Sequence, residues 1–151
     1  MRGGPAKAAI LASGLTGMIS GSSVANTVTT GTFTIPIMKK TGLPAIKAGA
    51  VEVAASVNGQ IMPPIMGAAA FVMAELLGIP YFTVVTHAFL PAVISYLALF
   101  YISHLESLKL NIKGLPEKEV PNLKKTFFGG IHFLIPIFLS LIHISEPTRR
   151  R

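Results

Sequence analysis

Between Lys7 and Lys39, and again between Lys47 and Lys109, the sequence carries no Lys or Arg at all. The basic residues sit in the gaps between apolar blocks: Arg2 and Lys7, then Lys39, Lys40 and Lys47, then a run from Lys109 to Lys125. A soluble face spreads its charges, whereas cytoplasmic loops of membrane proteins collect Lys and Arg between their apolar segments. Composition agrees. Only 13% of the 151 residues are charged and 51% are apolar, where a soluble domain carries about a quarter charged. The net charge of +7 therefore reads as loop charge, and nucleic-acid binding is excluded on the same ground. With no Cys, disulfides, thiol catalysis and thiolate metal sites fall away.

The charges also set a topology. Residues 8–20 (AAILASGLTGMIS) and 24–38 (VANTVTTGTFTIPIM) form two apolar arms joined through Gly21-Ser22-Ser23. At about 1.5 Å per residue each arm reaches about 20 Å, short of a hydrocarbon core of about 30 Å. Basic residues flank both outer ends, which places both on one side. The expectation is a re-entrant helical hairpin over about 8–38, its tip inside the membrane.

Residues 45–77 are helical in composition but carry Asn58-Gly59-Gln60 and Pro63-Pro64. A Pro inside a helix removes a backbone donor and clashes with the preceding turn. Two half-helices are expected, about 46–57 and 64–77, making one broken crossing. A spanning helix over about 83–104 returns to a cytoplasmic loop over about 105–125. All ten Lys and Arg ahead of the C-terminal tail then lie on one side. A next helix starts over about 126–141, and residues 142–151 (IHISEPTRRR) read as a non-native tail. The opening MRGGPAKAAI has no signal-peptide pattern, so the chain reads as a piece of a longer protein.

Irregular backbone is tolerated at membrane depth only where it is buried in protein or lines a wet cavity. The hairpin tip and the Asn58–Pro64 break should therefore face one polar site. Half-helix N-termini offer N–H groups to anions, and unwound carbonyls and hydroxyls coordinate Na⁺. Ser22, Ser23, Asn26 and Thr27 supply uncharged oxygens, suited to a monovalent cation that must leave again. Packing is the competing explanation for Thr29, Thr30, Thr32 and Thr34, since small hydroxyl residues let membrane helices approach. Glu52 is an intramembrane carboxylate and a candidate by default, but it lies near the cytoplasmic end, where solvation is expected. Glu75 and His87 fall near the outer interface. His104, His132 and His143 make no metal set, and no nucleophile–base pattern, phosphate loop or zinc spacing supports enzyme chemistry.

The stretches GMISGSSVANTVTTGTFTIPIMKKTG and AGAVEVAASVNGQIMPPIMGAAAFVMAE resemble the large, DctM-type membrane subunit of tripartite ATP-independent periplasmic (TRAP) transporters, most closely its form fused to the small subunit. The resemblance covers about residues 3–140. It implies part of an inverted-repeat, elevator-type, Na⁺-coupled permease in a bacterial or archaeal inner membrane. It implies no cofactor beyond Na⁺ as coupling ion. Its partners would be a periplasmic solute-binding protein, the small-subunit helices of the permease chain and the lipid membrane. The solute would typically carry a carboxylate. It also carries a binding role onto Ser20, Gly21, Ser22, Ser23, Asn26 and Thr27 at the tip, and onto Ser56, Asn58, Gly59 and Gln60 at the break. Within these, Ser22, Ser23, Asn26 and Asn58 are the Na⁺ candidates. Asn26 stands where many relatives have Asp, and Asn58-Gly59-Gln60 replaces the commoner Ile-Gly-Pro. A channel-like or assembly subunit with a re-entrant loop and no coupled transport is the alternative.

Overall fold

A computed structural model describes residues 3–63 and 65–112, together with residues 129, 135 and 139. The chain divides into two compact units, Met1–Leu115 and Pro116–Arg151. In the second, the three described residues are helical. The expected loop beyond residue 112, the helix over 126–141 as a whole and the tail over 142–151 lie outside the described residues.

The first unit is all helix: α1 (Gly4–Ser20), α2 (Ser23–Lys40), α3 (Ala45–Gln60), α4 (Ala68–Leu77) and α5 (Tyr81–Lys109). The chain is an all-α membrane protein. Among the described residues α5 is the one helix long and apolar enough to cross a bilayer.

The turn between α1 and α2 is dictated by two adjacent residues. Gly21 ends α1 at φ 65°, a left-handed conformation natural to glycine, with its N–H on the Gly17 carbonyl at 3.0 Å. Ser22 then caps α2, its hydroxyl accepting from Ala25 N at 3.3 Å. A helix stop and a helix start side by side make a hairpin without a loop. The arms are longer than the 13 and 15 residues expected, at 17 and 18. Pro5 is tolerated in the first turn of α1, and Lys39 and Lys40 complement the dipole in the last turn of α2. Charges read as boundaries are in fact terminal turns.

The broken helix differs from expectation too. Asn58, Gly59 and Gln60 are the last turn of α3, and the irregular stretch is described at Ile61–Pro63 and Ile65–Gly67. Gly costs a helix only about 1 kcal/mol, and Asn and Gln keep their backbone donors, so the helix runs on until the prolines. The Gln60 carbonyl accepts from Gly67 N at 2.8 Å and closes that stretch into a loop. The Tyr81 hydroxyl donates to the Ile65 carbonyl within it. Helix α5 begins two residues before the expected span and ends five after it.

The charged ends meet. Ala6 and Ala9 of α1, Met38 at the end of α2, Leu43, Ala48 of α3 and Ile112 beyond α5 form one apolar cluster. Around it Lys7 bonds His104 at 3.1 Å and Lys47 pairs with Glu106. The start of α1, the end of α2, the start of α3 and the end of α5 therefore share one end of the unit.

Candidate functional site

At the opposite end the hairpin tip lies on the helix break, main chain against main chain. A methyl group added to Gly67 would stand 2.9 Å from the Gly21 carbonyl oxygen. The Gln60 Nε2 donates to that carbonyl at 3.3 Å. One turn back, a Cβ on Gly17 would meet the Gly59 Cα at 2.9 Å, and one on Gly59 would meet the Gly17 Cα at 2.7 Å. Only glycine lets α1 and α3 approach this closely.

Behind this contact, the three-helix interior is polar. Ser13 of α1, Asn26 of α2, and Glu52 and Ser56 of α3 are all buried, none more than 1% exposed. Their spacing explains it. Asn26, Thr30 and Thr34 recur every four residues along α2, and Glu52 and Ser56 are four apart on α3, so each set shares a helix face. The faces interlock through hydrogen bonds. Ser13 Oγ donates to Glu52 Oε1 at 2.8 Å, Thr34 Oγ1 to Oε2 at 2.5 Å, and Thr30 Oγ1 to Oε1. Asn26 Nδ2 donates to the Ser13 carbonyl at 2.8 Å, to Ser13 Oγ at 3.0 Å and to Ser56 Oγ at 3.1 Å. The Asn26 Oδ1 is buried with no hydrogen-bond partner. Buried polar atoms without a partner are rare in folded proteins.

The sequence-predicted site residues divide accordingly. Gly21, Ser22 and Ser23 are half-buried at the tip, Ser20 is exposed beside them, and Thr27 is half-buried on the first turns of α2. Gly59 and Gln60 meet the tip from α3, and Asn26 and Ser56 belong to the polar interior. Asn58 does not join them. It faces α5, where its Oδ1 accepts from Ser95 Oγ at 2.9 Å. The four Na⁺ candidates are thus not one cluster: Asn26 points inward, Ser22 caps a helix and Asn58 is engaged elsewhere. Sequence reasoning missed Ser13, Thr30 and Thr34 as members. Glu52, expected to be solvated, is fully buried. The four-residue recurrence of polar side chains on apolar helices was the available signal.

The other threonines behave differently. Thr29 and Thr32 are exposed and donate to backbone carbonyls of their own helix, Ala25 O at 2.6 Å and Thr29 O at 2.7 Å. Glu75 and His87 are both exposed, and among the described residues no group of three His, Asp or Glu could hold a metal. Hydroxyl, amide, main-chain carbonyl and carboxylate oxygens are all hard donors, and among them the Asn26 Oδ1 has no hydrogen-bond partner.

The described residues thus form a helical hairpin seated on a broken helix, around a buried polar cluster and with apolar side chains outside, in an all-α membrane protein. The family model for the tripartite ATP-independent periplasmic transporter, DctM component, matches residues 1–148, and the chain belongs to that family. No curated protein and no solved structure matches it.

Proposed function

We propose that the chain forms the hairpin and broken-helix portion of a Na⁺-coupled permease subunit, importing a carboxylate-bearing solute delivered by a periplasmic binding protein. The hairpin is re-entrant, and the subunit sits in a bacterial or archaeal inner membrane as a multi-pass, elevator-type carrier together with the small-subunit helices. The observation that carries this reading is the contact of two irregular backbone segments, Gly21 on Gly67, beside the unpartnered Asn26 Oδ1. Packing alone does not require unwinding, and a membrane interior penalises it. The Asn26 amide oxygen and the tip carbonyls would hold Na⁺, and the first turn of α4 would offer N–H groups to a carboxylate. Convergence of Lys7, Lys39, Lys40 and Lys47 at the far end supports a cytoplasmic placement of that end.

The test is uptake into proteoliposomes holding the full-length permease, with a solute-loaded binding protein outside and an imposed Na⁺ gradient. Uptake should require both, and K⁺ should not replace Na⁺. Solute flux that runs down its own gradient in either direction, with neither Na⁺ nor binding protein, would mark a channel and defeat the reading.

A further inference from the structure

Glu52 is not among the groups that would hold Na⁺ directly, yet it sits at the centre of the polar interior. No Lys, Arg or His side chain among the described residues forms a salt bridge with it. Its partners are hydroxyls alone: Ser13, Thr30 and Thr34, with Ser56 Oγ at 3.5 Å. A carboxylate accepts and does not donate. Ser13 has one hydroxyl hydrogen, and it goes to Glu52. The Ser13 lone pairs are then left for the Asn26 Nδ2 at 3.0 Å. Ser56 Oγ lies 3.0 Å from Ser13 Oγ and 3.1 Å from the same amide nitrogen. Its hydrogen is directed to Ser13 or Glu52, so it too receives the amide. The direction of donation therefore runs from Asn26 through the two serines to Glu52. Together with the Ser13 main-chain carbonyl, which takes the same Nδ2 at 2.8 Å, it holds the Asn26 amide with its nitrogen turned in and its Oδ1 turned away, unpartnered.

We infer that Glu52 is the positioning residue of the cation site. Acting through Ser13 and Ser56, it orients the Asn26 amide so that Oδ1 faces a monovalent cation, and it supplies the negative charge that the uncharged tip lacks. Two hydrogen bonds, of 3.0 and 2.8 Å through Ser13 Oγ, separate the amide from the carboxylate. Over such a distance in a medium of low dielectric, a fixed charge is felt strongly. In return, a bound cation offsets the cost of a buried carboxylate without an ionic partner. This inference rests on the Na⁺-coupled reading and specifies how its site is held.

The experiment uses the purified full-length permease, with NaCl titrated against choline chloride at constant ionic strength. It reads the Na⁺-dependent rise of the unfolding midpoint and ²²Na⁺ binding, so transport itself is not needed. Wild-type protein should respond saturably, and Asn26→Ala should lose the response. Glu52→Gln presents an NH₂ to Ser13 and scrambles the direction of donation. It should raise the half-saturating Na⁺ concentration about tenfold or more, read relative to the variant's own Na⁺-free midpoint. Glu52→Asp should recover part of the affinity. Ser13→Ala leaves the carboxylate to Thr30 and Thr34 and should shift half-saturation severalfold in the same direction. Folded Glu52→Gln with wild-type half-saturation would overturn the inference and leave the Na⁺ reading intact. If that variant does not fold, unchanged half-saturation in Ser13→Ala overturns it instead. Absence of any Na⁺ response in wild-type protein is a different outcome and defeats the Na⁺ reading itself.

Discussion

The interior between α1, α2 and α3 and the seam between α4 and α5 are built on opposite principles. The first buries Ser13, Asn26, Glu52 and Ser56. The second buries Met66, Ala70 and Val84, with Ala74, Ile79, Val85 and Ala88 around them. In the seam, Phe71 stacks on Tyr81 with ring centroids 4.5 Å apart. Lipid is as apolar as any side chain, so a greasy seam gains little from exclusion and is held by dispersion and shape. A hydrogen-bonded interior is directional: its donors and acceptors meet only in a narrow range of registers. The register of the hairpin on α3 is thereby set by hydrogen bonds, whereas that of α4 on α5 is set by shape, by the Phe71–Tyr81 stack and by the bond from Tyr81 to the Ile65 carbonyl.

The largest effect should come from the glycine contact that brings the directional interior together. Gly59→Val puts a branched side chain where even a Cβ stands 2.7 Å from the Gly17 backbone. Overpacking of this kind costs about 3 kcal/mol. The fraction of monodisperse, folded full-length permease in detergent should collapse. Gly49, which a Cβ would leave in open space, is the control: Gly49→Ala should express normally.

Next comes a pair of isosteric changes on one helix. Thr34→Val strips the Glu52 Oε2 of its hydroxyl partner and should destabilise by about 1–3 kcal/mol. Thr32→Val removes only a bond to its own helix and should stay within about 0.5 kcal/mol. Equal midpoints for the two variants would erase the distinction between the polar interior and the lipid-facing surface.

On the apolar side, Tyr81→Phe keeps the ring against Phe71 and deletes the hydrogen bond to Ile65. It should cost about 1 kcal/mol, and hydrogen exchange should accelerate at residues 61–67 rather than across the unit. Smallest is the Lys47–Glu106 pair, both side chains partly exposed. Lys47→Ala should change the midpoint by about 0.5 kcal/mol or less, with the difference vanishing in high salt.

The difference between the two regions also explains what could be read in the sequence. The hairpin turn was legible because its causes are local: Gly21 and Ser22 carry stop and start chemistry in their own side chains and dihedrals. The existence of a helix break was legible from Pro63, but its position was placed too early, since Asn58-Gly59-Gln60 weakens a helix without interrupting it. Partnership was not legible. Asn58 meets Ser95 from a helix 37 residues further along the chain, and nothing near Asn58 announces it. The burial of Glu52 depends on the faces that α1 and α2 turn to it, a tertiary fact. Charge placement sorted the ends correctly onto one end of the unit because it responds to the membrane as a whole, not to any single neighbour.

Gly21 meets Gly67 main chain to main chain, and the Gln60 side chain bonds to the Gly21 carbonyl at the rim of that joint. The main-chain contact therefore offers selection no dial: exchanging either glycine there cannot adjust it by degrees, only keep it or lose it. Variation between chains of this build is then left to the side chains that surround the joint. The joint and its surroundings are separable, and a lineage can change the second while keeping the first.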